Sequence, residues 1–264
     1  MKHRQFRVTW GGVQKYSIIF FTFLISLFFS CQNYLVSDEG FDQDSDDSSS
    51  QKVEIFTEGG LKYAIINRSV AIYGLDDNTD RVNLVIPAEI NGIPVTEIAK
   101  KAFYEEKAIA SVEFPESLVK IGEYAFYKCT SLSKIELPKN VKSIEDAFVS
   151  CTSLSEVTLN DGIEDITSAF YDDRNLKSIR VPASVVSMDN AFSYCTELTD
   201  VVLEEGLTVV SGFKQCYKLA EIKIPSSVKT IASYAFCNSG LKELVIPEGV
   251  ETDYFTENEP SIFI

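Results

Sequence analysis

From about residue 82 onwards, apolar and polar residues follow one pattern that repeats roughly every 22 residues. Each unit contains a short stretch such as Ile135-Glu136-Leu137, in which alternate residues are apolar. This alternation predicts a β-strand with one buried face and one solvent-facing side. The residues that end these strands, spaced by 21 to 23 residues, are Pro115, Pro138, Asn160, Pro182, Glu204, Pro225 and Pro247. Proline at most of these positions ends the strand, because it has no N–H to donate to a neighbouring strand.

The second half of each unit has its own fixed apolar positions. In one unit they are Val141, Ile144, the pair Ala147-Phe148 and Cys151, and Leu154 then opens the next unit. The pair recurs as Ala102-Phe103, Ala125-Phe126, Ala147-Phe148, Ala169-Phe170, Ala191-Phe192 and Ala235-Phe236, with Gly212-Phe213 as a variant. One unit cannot bury its apolar side alone, so successive units must stack into a solenoid. A period of 20–29 residues with this spacing is typical of leucine-rich repeats.

A different pattern precedes the repeats. The stretch 60–66 alternates, a turn follows at Asn67-Arg68-Ser69, and Val70-Ala-Ile-Tyr73 alternates again. Two such segments joined by a short turn predict a β-hairpin, which we expect to cap the first unit. The sequence thus predicts an N-terminal β cap over residues 56–82 and a solenoid over residues 83–264, although the pattern fades after residue 251.

The first thirty residues have the features of an export signal. Lys2, Arg4, Arg7 and Lys15 precede the apolar run 18–29, which at 12 residues is short for a bilayer span. The run ends at Ser30-Cys31 and resembles a bacterial lipobox, with Phe28 in place of the usual Leu. That resemblance implies a signal peptide over residues 1–30 and lipidation of Cys31. An ordinary secretory signal and an uncleaved anchor are the alternatives.

An acidic segment follows Cys31. Residues 37–50 contain six acids and no base, a composition that favours an extended tether, which we place at residues 31–55. In some lineages of bacterial lipoproteins, such a stretch after the lipidated cysteine accompanies display on the cell surface. The expected location is therefore the bacterial outer membrane or cell surface, with the lipid anchor as the only membrane attachment.

Composition excludes several functions. The first thirty residues hold four of the 24 bases and none of the 39 acids, so the remainder has 20 bases against 39 acids, a net charge of −19. This balance argues against nucleic-acid binding, which needs clustered Lys and Arg. His3 and Trp10 also lie in the signal, so the mature chain has no histidine for a Ser–His or Cys–His pair or an imidazole metal site. We expect no enzyme activity, no metal and no cofactor.

The cysteines follow the repeat. Cys129, Cys151, Cys195 and Cys216 each stand three residues after a repeat Phe, whereas Cys237 directly follows Phe236. Cysteines spaced by whole repeats form a line, which does not suit tetrahedral metal binding. Stacked side chains in register would also hold adjacent Cβ atoms farther apart than a disulfide allows. We expect all five to be buried free thiols.

These residues resemble the BspA-like branch of bacterial leucine-rich repeats, whose units read approximately L-x-x-I-x-L-P-x-x-V-x-x-I-x-x-x-A-F-x-x-C. The resemblance covers about residues 60–250. It implies a β-rich leucine-rich-repeat solenoid with a parallel β-sheet on its concave face and short helical or irregular segments on its convex side. It also implies adhesion to host proteins or to other cells.

Polar residues at the outward strand positions are the candidate binding surface. The candidates are Glu113, Lys134, Glu136, Glu156, Thr158, Arg180, Asp200, Lys223 and Glu243. They carry mixed charge and include no aromatic residue, although aromatic residues are common at binding hot spots. The first hypothesis is an exported, lipid-anchored module that binds a protein or glycan ligand at the cell surface. The alternative is a structural spacer or envelope scaffold without a dedicated ligand.

Overall fold

A computed structural model describes residues 6–9, 53–76, 82–252, 255–256 and 259–260. In these ranges the chain is a β-rich solenoid of about seven coils, with parallel bridges between coils and no helix. This confirms the predicted solenoid. The apolar run 18–29, Cys31 and the acidic stretch 37–50, on which the expected signal, lipidation site and tether depend, lie outside the described residues.

The predicted strands form one side of the solenoid. They are β5 (Asn83–Val85), β8 (Ser111–Glu113), β10 (Lys134–Glu136), β11 (Glu156–Thr158), β12 (Ser178–Val181), β13 (Asp200–Leu203) and β16 (Glu243–Ile246). β5, β8, β10 and β11 pair in parallel, as do β12 and β13, with Ile135 opposite Val157 and Ile179 opposite Val201. Ile135 and Ile179 are almost fully buried, while the residues on either side of them are exposed. The alternation in the sequence therefore assigned the two faces correctly.

A second parallel ladder runs along the solenoid where helical or irregular segments were expected. It consists of β4 (Ser69–Leu75), β7 (Ile93–Ile98), β9 (Lys120–Ile121), β14 (Val209–Val210), β15 (Thr230–Ile231) and β17 (Glu251–Thr252). Single bridges from Ser143 to Asp165 and from Asp165 to Ser187 continue it through the middle coils. Backbone pairing between coils therefore occurs on this side of the solenoid as well as between the predicted strands.

The N-terminal cap is the predicted hairpin, enlarged by further strands. β3 (Leu61–Ile66) and β4 pair antiparallel, and Asn67 and Arg68, both at positive φ, form the turn. β2 (Phe56–Glu58) extends this sheet on one side, and β6 (Glu89–Ile90) pairs with β7. Because β4 pairs in parallel with β7, the cap supplies the first strand of the second ladder and covers the first coil of the solenoid.

Three short strands complete the set. β1 (Phe6–Thr9) pairs antiparallel with β16, and β18 (Phe255–Thr256) pairs with β19 (Glu259–Pro260). β17 keeps Glu251–Thr252 in the second ladder, so the solenoid extends to the residues at which the sequence pattern fades.

One phenylalanine from each coil forms a continuous stack in the core. Ring centroids of successive members lie 5.1 to 5.9 Å apart, and every ring is completely buried. The members are Phe103, Phe126, Phe148, Phe170, Phe192, Phe213 and Phe236. The backbone follows the same stacking, since the N–H of Phe126 donates to the carbonyl of Ala147 and the N–H of Phe148 to that of Ala169. The Ala-Phe pair therefore links coils by both its backbone and its rings.

Sharp turns on either side of each Ala-Phe pair use the left-handed backbone conformation. The residue before the pair and the second residue after it have positive φ, as at Tyr124 and Lys128 or at Ser168 and Asp172. Gly212 stands in the one unit that is 21 residues long, and its φ of 83° is also left-handed. Glycine there takes both the left-handed position and the small position of the alanine. This double role explains how that coil is one residue shorter than its neighbours.

The cysteines match their prediction at four positions. Cys129, Cys151, Cys195 and Cys216 are buried free thiols. Burial raises the pKa of Cys129 and Cys216 to about 12, so these thiols stay protonated at neutral pH. The prediction is wrong for Cys237, which is disulfide-bonded. The stacking argument did not apply there, because Cys237 does not share the position of the other four.

Candidate functional site

All nine candidate residues are exposed on one side of the solenoid, which we call the concave face. Eight of them lie in strands, whereas Lys223 lies in residues 221–225, which form no strand although the sequence predicted one there. Each is exposed: Glu113, Lys134, Glu136, Glu156, Thr158, Arg180, Asp200, Lys223 and Glu243. Strand register places Lys134 opposite Glu156, and Glu136 opposite Thr158. The structure therefore places these four residues side by side on two neighbouring coils, and the other candidates are exposed on the coils before and after them.

Some of the charged side chains on this surface form ion pairs with each other or with neighbouring residues. The Lys134 ammonium lies 3.7 Å from the Glu156 carboxylate. The Arg180 guanidinium contacts Asp161 at 2.7 Å and Glu204 at 2.6 Å, and the hydrogen bond to Asp161 is the main reason that the pKa of Arg180 is raised. Exposed pairs of this kind add little stability, typically 0 to about 1 kcal/mol, so a ligand can displace them at low cost.

Small apolar patches interrupt the polar surface. Val85, Val202 and Val245 occupy outward strand positions and are 50%, 52% and 36% exposed. The concave face thus offers charge, hydrogen-bonding groups and isolated valines. Its described part has no aromatic side chain at an outward strand position. This mixture suits recognition of an extended polar surface more than enclosure of a small molecule.

A second candidate surface, which the sequence reasoning missed, lies along the Ala-Phe turns. Tyr104 and Tyr127 stack at 4.7 Å, and Tyr171 and Tyr194 contact each other at 5.2 Å. Lys128 lies 5.0 Å from the Tyr127 ring centroid. The sequence signal was the tyrosine that directly follows the repeat Phe at positions 104, 127 and 171. We call these half-buried rings the tyrosine face.

Titratable groups with strongly shifted pKa values lie away from the concave face. Burial, with Asp146 adding to it, raises the pKa of Tyr124 to about 12, and burial also raises the pKa of Asp146. Asp173 is completely buried inside the solenoid. In the described part of the chain, no three His, Cys, Asp or Glu side chains are grouped so that they could hold a metal ion. Across the same residues, no helix has the length and apolar character to cross a bilayer.

The fold and this surface define a solenoid repeat protein in which exposed polar side chains recur on one side of successive coils. The model of the BspA type leucine rich repeat region matches residues 82–199 and 188–258. The chain belongs to this family. The family is consistent with a protein-binding module and is typically non-enzymatic. No curated protein matches the chain by sequence.

Solved structures agree with this assignment. A leucine-rich repeat protein from Bacteroides ovatus is 22% identical with a TM-score of 0.59, over 74% of this chain and 60% of that one, which shows the shared fold. The T. pallidum leucine rich repeat protein is 28% identical with a TM-score of 0.53, over 64% of this chain and 92% of its own. A leucine rich cell surface protein from Faecalibacterium prausnitzii is 27% identical with a TM-score of 0.52, over 78% and 51%. The chain thus spans little more than half the length of two of these three proteins.

Proposed function

We propose that this chain is an exported protein, lipid-anchored through Cys31, whose concave face binds a protein or glycan ligand at the bacterial outer membrane or cell surface without enzymatic activity. The observation that carries the proposal is the recurrence of nine exposed polar residues on one side of successive coils. Because backbone hydrogen bonds at the Ala-Phe pairs join each coil from Phe103 to Phe236 to the next, these side chains are held at a regular spacing along the solenoid. A pre-organised surface loses little conformational entropy on binding, which favours affinity.

Location at the cell surface is supported by sequence and by similarity. The chain carries a basic segment, a short apolar run and a cysteine in lipobox position, followed by an acidic stretch. The F. prausnitzii relative is described as a cell surface protein. A spacer without a ligand would need only the stacked core and the anchor, and would place no demand on the outward strand positions.

Charge reversal on the concave face tests the binding proposal. The whole protein, screened on an array of proteins and glycans, is expected to retain a ligand. Glu113→Lys combined with Glu136→Lys should then weaken binding by about tenfold or more, because both carboxylates leave an interface whose charges are matched. Glu164→Lys combined with Glu251→Lys is the matched control, since these exposed residues change the net charge equally but lie beside the second ladder.

The control pair is expected to bind within about twofold of the unmodified protein, because remote charges act only through screened long-range fields. Equal loss in both pairs would assign the effect to net charge and contradict the concave face. Loss only on changing Tyr104 and Tyr127 to serine would assign binding to the tyrosine face. An array without any retained ligand would favour the spacer.

Anchoring has its own test. Cys31→Ala should move the protein from the carbonate-washed membrane fraction to the soluble fraction, because the acyl chains on Cys31 supply the only expected membrane attachment. A variant that still sediments with membranes would contradict the lipid anchor.

A further inference from the structure

Asp173 interrupts the row of buried thiols formed by Cys129, Cys151, Cys195 and Cys216, which we call the thiol file. It stands three residues after Phe170, as Cys129, Cys151, Cys195 and Cys216 stand three residues after their own phenylalanines. The carboxyl group therefore takes the position of a thiol as the third of five members in this series, between Cys151 of the preceding coil and Cys195 of the next. Its side chain is 0% exposed.

The thiols in this file share one hydrogen-bonding arrangement. Each donates to the carbonyl oxygen of the phenylalanine one coil earlier, at 3.1 to 3.2 Å: Cys129 to Phe103, Cys151 to Phe126, Cys195 to Phe170 and Cys216 to Phe192. That carbonyl also accepts the backbone N–H of the third residue after its own phenylalanine, as Phe126 does from Cys129. Each carbonyl in the arrangement thus receives two donors.

When the Asp173 side chain is ionised, it has no hydrogen-bond donor. The equivalent acceptor is the carbonyl oxygen of Phe148, which accepts the backbone N–H of Cys151 at 3.2 Å. A carboxylate has only acceptor oxygens, so it cannot supply the second donor and would face this carbonyl with like partial charge. In the described part of the chain, neither oxygen of Asp173 has a hydrogen-bond partner. A protonated carboxyl group, by contrast, has an O–H to donate.

The surroundings also disfavour a negative charge. The titratable groups against Asp173 are the thiols of Cys151 and Cys195 and the carboxylate of Asp172. Burial keeps both thiols neutral, and Asp172 is itself paired with Arg174 at 2.7 Å. Burial raises the pKa of Asp173 well above its ordinary value. The nearby backbone of Cys151 opposes this shift without forming a hydrogen bond of ordinary geometry, and the charge of Asp172 adds to the shift.

We propose that the folded solenoid holds Asp173 as a neutral carboxylic acid that donates its proton to the carbonyl oxygen of Phe148, and that this coil is the one at which the stack opens first as the pH rises. The protonated carboxyl replaces the missing thiol and completes the file. Its ionisation removes that donor and buries a charge, so the coil becomes a pH-sensitive weak point in an otherwise uniform stack.

The direction of the pH dependence follows from linkage. An unfolded aspartate has a pKa of about 3.9, and in the folded chain it is higher. The folded state therefore binds a proton that the unfolded state has released. The stability from this group is fully present below about pH 4 and is lost as the pH rises towards the folded pKa, by up to about tenfold per pH unit in the folding equilibrium constant.

Denaturant unfolding of the full chain from about pH 4.5 to about pH 8.5 tests the proposal above the unfolded pKa. Asp173→Asn keeps the shape of the neutral acid and a donor, and Asp173→Cys restores the thiol file. For both variants, the folding equilibrium constant relative to the unmodified chain should rise with pH by up to about tenfold per unit. Asp200→Asn, an exposed control, should show a constant ratio. A ratio as constant for the Asp173 variants as for this control would overturn the proposal.

Two further readouts separate protonation from a merely structural effect. The infrared spectrum at neutral pH should contain a protonated-carboxyl C=O band that Asp173→Asn and Asp173→Cys remove. Its absence from the unmodified chain would overturn the proposal even if one variant failed to fold. Amides of the Phe170 coil should exchange hydrogen faster than those of the Phe126 coil as the pH rises, after correction for intrinsic rates, and Asp173→Cys should abolish the difference. Equal exchange in the unmodified chain would contradict opening at this coil.

Discussion

Phe148→Ala is expected to lower the free energy of unfolding by about 3–5 kcal/mol, the usual cost of truncating a fully buried phenylalanine. The ring is completely buried and stacks on Phe126 at 5.2 Å and on Phe170 at 5.9 Å. Its removal therefore leaves a cavity between two coils and weakens the contacts of both neighbours. Urea unfolding of the variant measures the loss as a lower midpoint.

Glu136→Ala is the matched control, because Glu136 lies only twelve positions away in the same repeat unit. Its side chain is exposed at an outward strand position, so the free energy of unfolding should change by no more than about 0.5 kcal/mol. Equal midpoints for the two variants at unchanged slope would show that the inward and outward faces are assigned incorrectly. The choice of residues for the concave face, which depends on that assignment, would then be wrong as well.

Gly212→Ala should destabilise the protein through two separate effects. A Cβ atom at this position would lie 2.5 Å from the Met188 carbonyl oxygen and 2.7 Å from the Ala191 nitrogen, both backbone atoms of the preceding coil. Forcing the two coils apart should cost about 1–3 kcal/mol. The left-handed φ of 83° adds strain of about 1–3 kcal/mol for any residue with a side chain.

Gly249→Ala separates these two effects. Gly249 has a φ of 84°, almost the same as Gly212, but a Cβ atom there would meet nothing within 4 Å. Thermal or urea unfolding should therefore show the strain alone for Gly249→Ala, and strain plus steric displacement for Gly212→Ala. Similar losses in the two variants would mean that the coils around Gly212 can move apart freely.

Much of this architecture could be predicted from the sequence, because the strongest signals are local. The alternation at residues 134–136 sets which side of the strand is buried, and the recurring Ala-Phe pair sets the period. Both the strand face and the phenylalanine stack follow from these two features. The exposure of the nine concave-face residues follows from the same alternation, although Lys223 lies outside any strand, and their role in binding is a proposal.

The second ladder could not be predicted in the same way. β15 contains only Thr230 and Ile231, and the middle coils contribute single bridges such as that of Asp165. Two residues are too few to show alternation, so this segment reads as irregular. It becomes a ladder only because stacking brings the same short segment of every coil into register.

Side chains at left-handed turns give equally little sequence signal. Tyr124, Lys128 and Asp146 have positive φ although none is glycine. Their conformation is imposed by hydrogen bonds between coils, such as that from the N–H of Lys128 to the carbonyl of Val149. The tyrosine face was missed because turn residues were treated as connections. Asp173 was visible as a gap in the cysteine register, but only the structure shows that its oxygens are buried without partners.

The central claim is that the strand side of the solenoid is the surface that binds. Hydrogen exchange of the full chain with and without the ligand recovered from the array tests it most directly. The account predicts slower exchange on binding in and beside strands β8, β10, β11, β12 and β13, with the second ladder unchanged. Protection confined to the second ladder or to the turns that carry Tyr104, Tyr127, Tyr171 and Tyr194, with no change along the strands, would contradict it.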